Sequence, residues 1–412
     1  MEYGLIGEHL GHSFSPEIHA ELGNKNYVLH EVPRDALESF MKEADFKGIN
    51  VTIPYKEAVM PYLDEIAPEA LEIGAVNTVV KGEDGRLRGY NTDFYGLRAM
   101  SLRAGLDFKG RKVLVAGAGG AAKTAVAVAR SLGAAEVVCA TRTPRNEEQL
   151  KLEEVSKGGP WQIIMNATPA GMYPNDGDRL FDLDNFPALE GVLDCIYNPL
   201  RTNLILDAQA KGLKAEGGLY MLVAQAWKAD ELFFSKQGDP RQLERIYHKL
   251  YAQKCNIVLC GMPSSGKTTV GGLLAEMTGR TLYDTDVIIR ERSGREIREI
   301  FATEGEAAFR QMESQVIEEL SHQHSCIIAT GGGAVLNWNN VHNLRRTGRI
   351  YLLDKNPDQL IPTEDRPLSK DRQALEKLYH TRREAYLRAG ECIIDGALDF
   401  PDAARAILED LC

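Results

Sequence analysis

Two glycine-rich turns in this 412-residue chain have residue types that could hold phosphate. Gly261-Met262-Pro263-Ser264-Ser265-Gly266-Lys267-Thr268 fits the P-loop pattern and continues into Thr269. In such a turn backbone N–H groups cradle the phosphates, the lysine reaches the β/γ oxygens, and the threonine hydroxyl ligates Mg²⁺. Lys267 and Thr268 therefore predict nucleoside triphosphate binding with Mg²⁺, but leave the phosphate acceptor open. Upstream, Gly117, Gly119 and Ala122 fit Gly-x-Gly-x-x-Ala, with Gly120 and Ala121 completing the turn. Gly117 permits the tight turn, Gly119 lets backbone approach a pyrophosphate, and the small Ala122 lets helix and strand pack closely. The next strand, Glu136–Ala140, ends at Thr141-Arg142-Thr143. An acid there would bind the ribose 2′-hydroxyl of NAD, whereas an arginine with hydroxyls suits the 2′-phosphate of NADP.

Other polar clusters close apolar runs. In the N-terminal part they are Gly11-His12-Ser13-Phe14-Ser15-Pro16, Gly48–Lys56, Gly74–Thr78 and Gly89–Asp93. Together they suit a pocket for a small polyhydroxylated acid; taken singly, each also reads as turn and cap chemistry. In the C-terminal part, Tyr283-Asp284-Thr285-Asp286 sets two acids after a short apolar run, with a helix N-cap as the plain alternative for Asp286. Gly305–Arg310 leads into a long amphipathic helix, where Arg310 could be an ordinary solvated charge. Ile327–Ala329 ends in Thr330 and Gly331-Gly332-Gly333, where only backbone could approach a ligand.

Both turns need a strand before them and a helix after them, so two α/β nucleotide modules are expected. The length calls for two or three domains. Phe233–Pro240 is polar with Gly and Pro, Arg241–Ala252 has a helical pattern, and the division is placed near Ala252. A hydrophobic share of 44% and a charged share of 26% are those of an ordinary globular chain. The net charge of -11 leaves no basic field for nucleic acid. No run approaches a membrane span, and Met1-Glu2-Tyr3-Gly4 has no secretion-signal character. Seven scattered cysteines, never spaced Cys-x-x-Cys, point to a reduced cytoplasmic setting.

From Met1 to about Phe234 the chain resembles the shikimate dehydrogenase family. The motifs that carry this are Ser13-x-Ser15, Asn50-Val51-Thr52-x-Pro54-x-Lys56, Gly74–Thr78, Asn91-Thr92-Asp93-x-x-Gly96, Asn166–Met172, Asp194–Pro199 and Gly218–Gln225. The resemblance implies NADPH-linked reduction of 3-dehydroshikimate to shikimate. Lys56 and Asp93 would form the catalytic pair, and which of them transfers the proton stays open. Ser13, Ser15, Thr52, Asn77, Tyr197 and Gln225 would bind substrate. Gly117, Gly119, Gly120, Ala121, Thr141, Arg142 and Met221 would hold NADP(H). Hydride addition to a ketone builds an alkoxide, which needs a positioned proton donor and nearby positive charge, and a lysine beside a carboxylate supplies both. The family's usual Asn-Arg-Thr is Thr141-Arg142-Thr143 here, and the connection Pro144–Gly159 looks short.

From Lys254 onward the chain resembles shikimate kinase. The resemblance assigns Asp286, Arg310, Gly331, Gly332, Gly333 and Arg382 to shikimate, with Arg382 placed by its spacing to Tyr386. Asp286 would act on the attacking hydroxyl. Gly261, Gly266, Lys267, Thr268, Thr269 and the lid arginine Arg366 would meet ATP, and Thr268 and Asp284 would lie at Mg²⁺. Leu360–Glu364 carries no basic residue to stack on adenine, and Ser264 stands where a further glycine is common.

The expected fold is α/β. A two-lobed dehydrogenase module at 1–252 would have a substrate lobe (1–99 plus about 218–240) and a Rossmann NADP lobe (100–217). A P-loop kinase domain at 253–412, with a parallel sheet of the nucleoside monophosphate kinase type, would follow. The first module's product is the second module's substrate, so a bifunctional enzyme is expected. The alternatives are a quinate-accepting dehydrogenase fused to the kinase and a catalytically inactive ligand sensor. Expected partners are the small-molecule substrates alone, with no nucleic acid and no membrane; oligomeric state is not legible.

Overall fold

The computed structural model describes residues 1–11, 13–147, 149–361 and 371–411. The chain divides into two compact units. One is Met1–Tyr197 with Thr202–Leu250; the other is Tyr251–Cys412 together with the short segment Asn198–Arg201.

The N-terminal unit holds two sheets. The first comprises β1 (Tyr3–Gly7), β2 (Tyr27–Glu31), β3 (Gly48–Val51), β4 (Glu65–Ile66), β5 (Thr78–Lys81) and β6 (Leu87–Tyr90). Its order is β2-β1-β3-β5-β6-β4, with β3, β5 and β6 antiparallel neighbours. The second comprises β7 (Lys112–Ala116), β8 (Glu136–Thr141), β9 (Gln149–Lys151), β10 (Ile163–Asn166), β11 (Gly191–Asp194) and β12 (Lys214–Glu216). It is parallel throughout, in the order β12-β11-β10-β7-β8-β9. This is the doubly wound dinucleotide order, whose crevice opens where the winding reverses, between β7 and β10. Val113–Ala116 and Ile163–Asn166 are buried throughout, as strands covered on both faces must be.

Two long helices, Thr92–Arg103 and Leu219–Phe233, pack along one another beside these sheets. A further helix, Pro240–Lys254, is held to them by Tyr220, whose hydroxyl donates to Glu244 at 2.8 Å, and by Arg103 lying over the Tyr220 and Tyr247 rings.

The C-terminal unit has one parallel sheet of β13 (Asn256–Cys260), β14 (Leu282–Asp284), β15 (Ile327–Ala329), β16 (Gly348–Asp354) and β17 (Cys392–Asp395), ordered β14-β15-β13-β16-β17. The P-loop follows the central strand β13 and leads into the helix Lys267–Thr278. The core on one face gathers Val258, Ile289, Ile300, Phe309, Ile317, Ile328 and Leu352. Among the described residues, no helix is long and apolar enough to cross a membrane, and six cysteines are free thiols.

Candidate active sites

In the N-terminal unit Lys56 follows β3, and Asp93 sits in the first turn of the helix Thr92–Arg103. Asn91 caps that helix by accepting from the Phe94 N–H at 3.0 Å, and its amide donates to Ala75 O at 2.9 Å. Lys56 O accepts from Val76 N–H at 2.8 Å, which ties the lysine's backbone to the Gly74–Thr78 segment. These anchors set Lys56 Nζ 2.6 Å from Asp93 Oδ2, both side chains largely shielded from solvent. A lysine and a carboxylate so held can supply both a proton and a nearby positive charge.

Asn77 and Gln225 meet at Thr92. Asn77 Oδ1 accepts from Thr92 N–H at 2.6 Å, and the Thr92 hydroxyl donates to Gln225 Oε1 at 3.4 Å. Ser13 and Ser15 are bonded to each other at 3.1 Å, and Phe14 between them packs against Tyr197 at 5.4 Å between ring centres. His12, from the same motif, lies outside the described residues. Thr52 directly follows β3, its N–H donating to Ile6 O at 2.9 Å. Met221 is buried in the first turn of Leu219–Phe233.

The Gly117–Ala122 turn fits a dinucleotide pyrophosphate. Gly117 has φ +125°, and a Cβ there would lie 2.8 Å from Ala167 O, so glycine is required by the fold itself. At Gly119 and Gly120 a side chain would meet no protein atom, so those positions are small toward open space. The next strand, β8, ends at Thr141; Arg142 is exposed and, among the described residues, has no ion-pair partner. No acid stands at that strand end.

Sequence reasoning missed the brace beneath this crevice. Asp194, at the end of β11, is fully buried and accepts from Thr202 Oγ1 at 2.6 Å, Asn166 Nδ2 at 3.0 Å and Ile196 N–H at 3.0 Å. Burial pushes its carboxyl up to about 6 against the pull of those donors. Asn166 Oδ1 in turn accepts from Thr168 N–H and its hydroxyl, fixing the loop beside Gly117. Both residues stand in the quoted motifs, but their pairing joins strands 28 residues apart.

In the C-terminal unit one cavity of about 610 Å³ is lined by Thr268, Asp284, Asp286, Arg310, Gly331–Gly333 and Arg382. The helix after β14 begins at Thr285, and its N-cap is Asp284, not Asp286. Asp284 Oδ1 accepts from the N–H groups of Asp286 and Val287, which leaves Asp286 inside the first turn facing the cavity. Asp284 Oδ2 accepts from Thr268 Oγ1 at 2.8 Å. That hydroxyl–carboxylate pair fits Mg²⁺, which keeps waters and phosphate oxygens for its other positions. Among the described residues, no group of three or more His, Cys, Asp or Glu is placed to hold a metal ion. Lys267 Nζ is buried and donates to Gly261 O and Met262 O at 3.0 and 2.9 Å.

Arg310 projects from the helix Gly305–Leu320 and is no solvated charge: its Nη1 donates to Glu313 Oε2 at 2.7 Å, and Glu306 braces its other edge. Glu313, fully buried, was missed; its i+3 spacing from Arg310 was the available signal. Burial raises its pKa, with Arg310 pulling the other way. Arg382 Nη1 donates to Gly332 O at 2.8 Å, and Tyr386 OH bonds the same carbonyl. A Cβ at Gly331 would lie 2.7 Å from Asp286 Oδ1, so this backbone and that carboxylate are in close contact. Phe301, Phe309 and Leu378 form an apolar wall. Arg366 lies outside the described residues.

Comparison with known proteins accounts for both units. Residues 5–79 match the model of the shikimate dehydrogenase substrate binding domain, and residues 263–412 match that of shikimate kinase. A shikimate dehydrogenase (NADP(+)) of Clostridium perfringens is 39% identical over 60% of this chain and 97% of its own length. One from Caldicellulosiruptor bescii is 39% identical over 56% of this chain and 88% of its own length. Among solved structures, shikimate 5-dehydrogenase of Thermus thermophilus in complex with NADP(H) and shikimate superposes with a TM-score of 0.54 at 34% identity, covering 60% of this chain and 99% of that one. A chorismate mutase/shikimate 5-dehydrogenase fusion protein from Clostridium acetobutylicum gives 0.56 at 35% identity, covering 60% and 96%.

Proposed function

The chain belongs to the shikimate dehydrogenase family and carries a shikimate kinase domain in its C-terminal region, and from that membership we propose a bifunctional enzyme of the shikimate pathway. It reduces 3-dehydroshikimate to shikimate with NADPH and then phosphorylates shikimate with ATP to shikimate 3-phosphate. The observation that carries this reading is that both family matches lie on one chain and concern one acid, shikimate. Residues 1–252 would serve the reduction and residues 253–412 the phosphorylation. Within the first module the reading keeps 1–99 with about 218–240 as substrate lobe and 100–217 as cofactor lobe.

In the reduction, the Gly117–Ala122 turn would hold NADPH, with Arg142 for its 2′-phosphate and Met221 for its nicotinamide, and the bound cofactor would supply the hydride. Lys56, steadied by Asp93 at 2.6 Å, faces the carbonyl oxygen that becomes an alkoxide, and the pair delivers its proton. Ser13, Ser15, Thr52, Asn77, Tyr197 and Gln225 orient the ring through its hydroxyls and carboxylate.

In the phosphorylation, Arg310 and Arg382 clamp the shikimate carboxylate, Asp286 accepts from the attacking hydroxyl, and the Gly331–Gly333 backbone borders the ring. Lys267 reaches the transferred phosphate, with Gly261, Gly266 and Thr269 in the cradle. Thr268 and Asp284 would hold Mg²⁺, which supplies positive charge to the phosphate oxygens. The substrates are the expected partners, and the free thiols suit a reducing cytoplasm.

A coupled assay tests the whole reading. Full-length protein given 3-dehydroshikimate, NADPH and ATP with Mg²⁺ should form shikimate 3-phosphate with stoichiometric NADPH oxidation. Well-folded protein that performs neither half-reaction would refute it.

A further inference from the structure

Asn77 and Gln225 adjoin a buried string of side chains. Tyr27 OH donates to Asn50 Oδ1 at 2.7 Å. Asn50 Nδ2 donates to Thr78 Oγ1 at 2.9 Å, and the hydroxyls of Thr78 and Thr92 lie 3.0 Å apart. The Thr92 hydroxyl continues to Gln225 Oε1. Every member is buried, Thr78 completely, and at its far end the His19 ring lies flat on Tyr27 at 3.8 Å. From Tyr27 to Thr92 the string crosses four separate segments, β2, β3, the β5 start and the Thr92 helix, with Thr78 between Asn50 and Thr92.

Two backbone groups fix the orientation of the two amides. Thr92 N–H can only donate, so the Asn77 atom 2.6 Å from it is the carbonyl oxygen. Leu222 O can only accept, so the Gln225 atom 3.0 Å from it is the amide nitrogen. With those two amides fixed, Asn77 Oδ1 lies 3.2 Å from the hydroxyls of both Thr78 and Thr92, and Gln225 Oε1 lies within reach of the Thr92 hydroxyl. Asn77 Nδ2 uses one N–H on Thr92 Oγ1, at 3.1 Å, and Gln225 Nε2 uses one on Leu222 O. The second N–H of each amide has no protein acceptor among the described residues.

We propose that Thr78 is a positioning residue of the dehydrogenase site: as the junction of the Tyr27–Asn50–Thr78–Thr92 string, it holds Asn77 and Gln225 so that each offers an N–H to the substrate's oxygens. The proposal rests on the dehydrogenase reading above and names the support for two of its substrate residues. A hydroxyl is needed at the junction because it alone can accept from Asn50 and donate onward in the same place. Valine has the same shape without either capacity. It would leave Asn50 Nδ2 only the longer bond to Asn77 O at 3.4 Å and strip the hydroxyl that lies against Asn77 Oδ1 and Thr92 Oγ1, loosening the side chains through which Asn77 and Gln225 are held.

The test compares Thr78→Val, Thr78→Ser and Tyr27→Phe in the full chain, with kinase turnover as internal control. Thr78→Val should raise KM for 3-dehydroshikimate about 10-fold, the scale of one lost buried hydrogen bond, with a smaller change in kcat. Thr78→Ser should restore KM to within about 2-fold, and Tyr27→Phe should fall between them, because it removes only the string's first donor. KM for NADPH and both kinase constants should not move. An unchanged KM in Thr78→Val, or serine as defective as valine, would overturn the positioning role and leave the dehydrogenase reading intact. A valine effect on kcat and KM that simply follows lost folded fraction would overturn it too. Wild-type protein unable to reduce 3-dehydroshikimate would instead sink the reading on which the proposal stands.

Discussion

Arg310 donates to Glu313 at 2.7 Å from one helical turn away, and the glutamate is fully buried while the arginine reaches into the kinase cavity. The pair explains how the guanidinium is kept in one orientation at the cavity. Its Nη1 is held by Glu313 and its Nε and Nη2 by Glu306, and the side chain so fixed lines the cavity. A buried carboxylate that holds a cation in place costs desolvation, so its removal should be felt mainly through the arginine it fixes.

Glu313→Gln keeps the shape but weakens that hold. Shikimate KM in the kinase reaction should rise about 10-fold, with ATP KM and the dehydrogenase unchanged. Steady-state kinetics at saturating ATP check this, and an unaltered shikimate KM would show that Arg310 needs no such brace.

Removing the Lys56 ammonium should lower dehydrogenase kcat by roughly 10²-fold or more, the usual scale for losing a general acid. Asp93→Asn should also be impaired, since it leaves Lys56 without its ionic partner at 2.6 Å. Kinase turnover in both variants serves as the folding control. Normal reduction by Lys56→Ala would remove the pair from the chemistry.

Arg142 is exposed and, among the described residues, unpaired, so its replacement should cost little stability. Arg142→Ala should raise KM for NADPH about 10-fold and leave KM for NADH nearly unchanged, because only the former carries the 2′-phosphate. Equal effects on the two cofactors would place the 2′-phosphate elsewhere.

His19 gives the N-terminal unit a pH dependence. Burial lowers its pKa from 6.5 to about 3, so the folded ring is neutral where the unfolded ring is charged. Between those values the unfolded state binds the extra proton. This contribution to stability is therefore complete above about pH 6.5 and lost as pH falls toward 3, at up to about 1.4 kcal/mol per pH unit. His19→Phe, which keeps a flat ring against Tyr27, should flatten the slope of denaturation free energy between pH 7 and pH 5 for the N-terminal unit's transition. The same slope in wild type and variant would assign acid sensitivity to other groups.

By itself the sequence determined what depends on a few consecutive residues. A phosphate turn is a local object: glycines permit its backbone, an apolar strand precedes it and a helix start follows. So Gly117–Ala122 and Gly261–Thr268 were readable, as were the two α/β modules that must carry them. Motif residues such as Lys56, Asp93, Asp286, Arg310 and Arg382 were readable as types with a family precedent. Tertiary structure decided which of them touch. Lys56 and Asp93 are 37 positions apart and meet only because β3 and the Thr92 helix are brought side by side. The cap of the kinase helix fell to Asp284, whose carboxylate accepts from the Asp286 and Val287 N–H groups, while Asp286 lines the cavity. Glu313, Asp194 and Thr78 look unremarkable as letters. They gain their roles from burial and from partners on other segments, and neither burial nor a long-range hydrogen bond is written in local spacing.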